Sequence, residues 1–157
     1  MCASLLLRQQ DRARLFGVKH PAVKTHYRFA VLFAGSGPLV SLDPTLLKSP
    51  ALVDASQIGQ VEANSPVTYE GTRHVLHLPT LHIHGLQDQG LSRHRQFLKT
   101  YFQDDSTRVV TWDGDHRIPV RSGDVARVVE QIVDIARQTG VIGGGLDQND
   151  RDARAVL

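Results

Sequence analysis

Asp88, in the run HGLQDQG, and His116, in the run WDGDHRIP, are the two residues whose types and settings best suit catalysis. A carboxylate that orients an imidazole, together with an imidazole that shuttles a proton, makes two-thirds of a hydrolytic triad. Each follows a short segment with the pattern of a strand, and open sheets with helices between their strands keep their sites just past the strands' C-terminal ends. Simpler readings compete. Asp is common in turns for its local hydrogen bonding, and His116 stands beside Asp113 and Asp115, as a solvated, charge-paired histidine would.

Other groups are weaker candidates. Ser36 precedes both residues and follows a strand-like run, as a nucleophile should, but Ala34-Gly35-Ser36-Gly37-Pro38 lacks the outer glycines of Gly-x-Ser-x-Gly. Pro38 and Pro44 also disfavour a long helix after it, so Ser36 reads as part of a tight turn near the pocket. Among the eight histidines, His82 and His84 share a strand face, with His74 and His77 nearby. Zinc needs three or four converging ligands, and neither HExxH nor CxxC occurs, so no metal is expected. Gly143-Gly144-Gly145 follows a helix pattern instead of joining a strand to one, which argues against a phosphate loop. No cofactor is expected.

The elements that must position these groups can be read in turn. Residues 2 to 15 hold Leu5, Leu6, Leu7, Ala13 and Leu15 among good helix formers and read as a helix with no N-cap. The run from Tyr27 to Ala34 is rich in aromatic and branched residues and ends in Gly35-Ser36-Gly37-Pro38, which reads as a buried strand and a turn. Residues 38 to 72, with four prolines and little periodicity, read as a long excursion holding one short helix and shaping a substrate pocket. Pro79 to Gly85 reads as the second strand, a helix capped by Ser92 runs to Phe102, and Thr107 to Trp112 reads as the third strand. Val125, Val128, Val129, Ile132, Val133 and Ala136 then repeat with helical spacing, closed by Gly140. Alternating strands and helices predict an α/β fold with a mostly parallel sheet flanked by helices. Residues 1 to 140 form that domain, and residues 141 to 157 read as a flexible tail.

Composition narrows the function classes. The chain has 157 residues, 41% apolar and 22% charged, which is ordinary for one globular domain. Its net charge of +2 is scattered along the sequence, so no nucleic-acid partner is expected. The apolar run after Cys2 is too short for a signal peptide or a membrane span. A single cysteine rules out an intrachain disulfide and favours a reducing, cytoplasmic setting. Oligomeric state is left open.

The stretches RFAVLFAGSGP, PTLHIHGLQDQGLS and GDHRIP with its following helix resemble the fungal family of serine hydrolases, which includes esterase-like and thioesterase-like enzymes of polyketide pathways. The resemblance implies the C-terminal portion of an α/β-hydrolase fold, where chain order runs Ser, Asp or Glu, then His. Asp88 takes the place of the acid and His116 that of the base. It also implies an acyl ester or carrier-bound acyl thioester as substrate. The family's nucleophile lies in a Gly-Phe-Ser-Gln-Gly-Ala elbow before a helix that MCASLLLRQQ resembles, and the elbow would fall just before Met1. The rival expectation is therefore a truncated, catalytically inactive remnant.

Overall fold

A computed structural model of the chain describes residues 1–58 and 74–143. Helix α1 spans Cys2–Phe16 and has no side-chain cap, as the sequence leads one to expect. Two adjacent glutamines tie it to the backbone that feeds the sheet. The Gln9 amide accepts from the Tyr27 N–H at 2.6 Å and donates to the Tyr27 carbonyl at 2.9 Å. Gln10 accepts from the His77 N–H and donates to the Val75 carbonyl, both at 2.8 Å.

The first clamp explains why strand β1 covers only Ala30–Phe33, a shorter span than the aromatic run from Tyr27. With both backbone groups of Tyr27 engaged by Gln9, that residue has none left for a sheet ladder. Residues beyond β1 form β2 (Val40–Ser41) and β3 (Val53–Asp54), a small parallel pair, and then a 3₁₀ turn at Ala55–Gln57. The rest of the expected excursion lies outside the described residues.

Strand β4 (Thr80–Gly85) is buried along its whole length, as a central parallel strand must be. It leads into α2 (Leu91–Tyr101), then β5 (Thr107–Trp112) and α3 (Ser122–Gln138). The expected cap is corrected here: Gly90 precedes α2, and Ser92 lies within its first turn. The sheet order is β1-β4-β5, all parallel.

Alternation along β4 divides the core in two. Leu81 and Ile83 pack with Trp112 and Val128 beneath α3. On the other face, Leu6 and Leu7 of α1 join Leu32, Phe97, Tyr101 and Phe102. Each such side chain, fully buried, stabilises the fold by roughly 1.5–3 kcal/mol. Gly140 ends α3 with φ +68°, a left-handed conformation that glycine adopts without a steric penalty. The Val141 N–H then bonds to the Ala136 carbonyl at 2.8 Å, so the start of the expected tail is tied to the helix. Residues 144–157 lie outside the described residues.

Candidate active site

The loops after β4 and β5 are laced together. Leu86 N–H donates to the Trp112 carbonyl and Gln87 N–H to the Gly114 carbonyl, each at 2.9 Å, and the Gln87 side chain reaches Asp113 at 2.7 Å. Gly85 permits this approach. A Cβ there would meet the carbonyl oxygens of Gly114 and Asp115 at 2.4 Å.

This lacing brings Asp88 and His116 together. His116 Nδ1–H donates to Asp88 Oδ2 at 2.7 Å. A carboxylate only accepts, so Nδ1 holds the proton and Nε2 is free to act as a base. The His116 side chain is 72% exposed while that of Asp88 is 3% exposed, which puts the base in solvent and its partner beneath it. Gly90 N–H donates to Asp88 Oδ1 at 2.7 Å. Burial by itself would raise the Asp88 pKa. The Gly90 N–H and the His116 and His94 rings outweigh it and hold the carboxyl at about 2.

His94 is the site residue that sequence reading missed. Its Nε2 lies 3.0 Å from Asp88 Oδ2 and its Nδ1 lies 3.1 Å from the Gly35 carbonyl. On α2 it occupies the buried stripe of His94, Phe97 and Tyr101, with helical spacing. The available signal was that single polar residue in an apolar stripe, one helical turn after the Asp88 loop. The Gly35 carbonyl reaches it from a turn in which Ala34 has φ +49°, a conformation uncommon for a residue with a Cβ.

Ser36 lines the same cleft, of about 550 Å³, with Asp88, His94, His116, Arg93 and Arg117. Among the described residues no hydrogen bond joins Ser36 to His116. Of the histidines considered for a metal, His74 packs edge-on against Tyr101 and His77 contacts Gln103. His82 and His84 are buried on one face of β4 with ring centroids 6.0 Å apart. Burial, reinforced by the neighbouring His84, lowers the His82 pKa to about 4. Among the described residues, Asp88, His94 and His116 are the group whose donor atoms lie within 4.8 Å of one another, close enough to share an ion.

A carboxylate-oriented imidazole at the C-terminal edge of a parallel sheet fits a hydrolase, and comparison with known proteins gives the family of the chain. A family model described as "Serine hydrolase (FSH1)" matches residues 1–128. The chain belongs to the FSH1 serine hydrolase family. Among its relatives, the chain is 46% identical to Esterase pigG of Monascus ruber over 143 residues, covering 90% of this chain and 52% of that protein. It is 48% identical to Probable esterase tazC of Aspergillus terreus over 145 residues, with the same 90% and 52% coverage. Esterase claE of Penicillium crustosum is 43% identical over 139 residues, covering 88% of this chain and 52% of its own length. The chain thus spans about half the length of the curated relatives it matches. No solved structure matches it significantly. Among the described residues no helix is long and apolar enough to cross a membrane.

Proposed function

We propose that this chain carries the acid and base of an esterase or thioesterase that cleaves an acyl ester, or an acyl thioester on a biosynthetic carrier such as those of polyketide assembly. One observation carries the reading: the 2.7 Å bond from His116 Nδ1 to Asp88 Oδ2, with His116 open to the cleft. A cytoplasmic setting, supported by the single cysteine, belongs to the same reading.

The attacking serine is that of the Gly-Phe-Ser-Gln-Gly elbow that the family places before a helix like α1, and it acts in the complete protein. His116 Nε2 takes the serine proton as Oγ bonds to the acyl carbon, then passes it to the departing alcohol or thiol. Water repeats the sequence on the acyl-enzyme, releasing the acid and restoring the serine. Asp88 holds His116 in the required tautomer and balances its charge while it is protonated.

The test compares the 157-residue chain with a form extended at its N-terminus through the elbow, using a short-chain p-nitrophenyl ester and a fluorophosphonate probe. The extended form should hydrolyse the ester and label, and His116→Ala should lower its kcat about 10⁶-fold. An extended His116→Ala form with unchanged activity would overturn the assignment. Labelling of the 157-residue chain that disappears in Ser36→Ala would make Ser36 the nucleophile instead.

A further inference from the structure

We infer that His94 is a positioning residue, held as an imidazolium between the Gly35 carbonyl and Asp88, so that the carboxylate beneath His116 is fixed by a buried charge-assisted bond from a second imidazole. The inference rests on the proposed roles of Asp88 and His116.

Counting protons leads to it. Both ring nitrogens of His94 face oxygens that accept: the Gly35 carbonyl at 3.1 Å and Asp88 Oδ2 at 3.0 Å. A neutral imidazole has one N–H, so one of these contacts would set two lone pairs against each other. The His94 side chain is 2% exposed, which leaves no room for solvent to relieve the mismatch. Two N–H groups satisfy both contacts, and burial makes an unsatisfied one costly.

The alternative places the extra proton on Asp88. That carboxylate already receives the Gly90 N–H on Oδ1 and His116 Nδ1–H on Oδ2, and a proton on either oxygen would compete with one of these donors.

The charged groups around the ring are consistent with this arrangement. His84 of β4 lies 5.9 Å away between ring centroids; burial, with His94 and Arg95 acting in the same direction and Asp88 against them, lowers its pKa. His116, after β5, stacks at 5.8 Å. Arg93 and Arg95 lie on the same helix but are exposed to solvent, where their charge is screened. Asp88 is the one anion bonded to the ring. From the β1 side, among the described residues, comes the Gly35 carbonyl, which is uncharged but presents its negative end.

His94 thereby fixes Oδ2 from a second direction. The carboxylate cannot rotate away when His116 swings toward substrate, because turning would break a buried charge-assisted bond.

The test is nuclear magnetic resonance on the 157-residue chain labelled with ¹⁵N-histidine and ¹³C-aspartate. Between pH 6 and 8 both His94 nitrogens should carry hydrogen; a bare nitrogen on His94 in that range overturns the inference. His116 should show hydrogen on Nδ1, and its absence there would refute the acid–base assignment itself, separately from His94. In His94→Phe the Asp88 carboxyl should titrate at higher pH than in the parent, and in His94→Gln, which can restore one donor, at an intermediate pH. Asp88 titration unchanged in a folded His94→Phe protein would also overturn the inference. Should that variant not fold, the His94 nitrogens of the parent still decide it.

Discussion

Asp88 gathers Gly90, His94 and His116 onto two oxygens in a buried position, so its removal strands a histidine in the core. Asp88→Ala should lower stability by about 3 kcal/mol, measured as a shift of the urea midpoint at pH 7. His82 makes a second residue-scale prediction. Among the described residues neither of its nitrogens has a hydrogen-bond partner, its ring packs edge-on against Phe102 at 4.5 Å, and its pKa falls from 6.5 to about 4. Between those values the unfolded chain binds a proton that the native chain refuses, so His82 costs stability as pH falls from 6.5 toward 4. His82→Leu should therefore be more stable than the parent, and its advantage should grow by about 3 kcal/mol from pH 7 to pH 4. Denaturation at several pH values checks this. Asp88 and His116 were legible because their loops follow strand patterns in the right order. His94 was not, since a histidine in an apolar stripe is ordinary until its two nitrogens are seen facing acceptors.

Among the elements, β4 and β5 were legible almost to the residue, because branched residues and flanking turn residues mark them. The start of β1 was not: Gln9, far away in sequence, takes the backbone of Tyr27 out of the sheet. Gly85 yields a prediction at this scale. Gly85→Ala forces its Cβ against two backbone carbonyls that cannot move like a flexible side chain, so the β4 and β5 loops must part. The expected outcome is a loss of about 3 kcal/mol in thermal unfolding together with loss of the His116–Asp88 bond, seen in the ¹⁵N-histidine spectrum. Helix α1 carries an opposite pH response. Asp11 is 3% exposed, and burial raises its pKa from 3.8 to about 6, with Arg14 pulling the other way. Above pH 6 its charge is a cost to the native state, and between pH 6 and 3.8 the native chain gains stability by binding a proton that the unfolded chain does not. Asp11→Asn should stabilise the protein by about 2 kcal/mol at pH 7, with the gain fading toward pH 4. Asp11 and His82 thus oppose each other in the parent, and only the variants separate them.

At the scale of the whole molecule, the three-stranded sheet has β1 and β5 at its edges among the described residues, with Phe33 42% and Val109 48% exposed. Unpaired edges with exposed apolar side chains favour pairing with another chain. Sedimentation of the 157-residue chain should show an average mass above 17.4 kDa that rises with concentration, whereas a constant 17.4 kDa would show the edges to be protected. The layering itself was legible from alternating patterns, but the crossing of elements that lays Gly35 against α2 is a product of packing that no local signal records. Asp88 and His116 stand only 28 positions apart, and His94 lies between them. The acid, its base and its second imidazole therefore travel as one cassette, β4 through the loop after β5. A recombination breakpoint between Gly35 and Thr80 would carry all three over intact, and of the hydrogen-bond partners of these three side chains it would leave behind the Gly35 carbonyl, which any backbone reaching the same spot could replace.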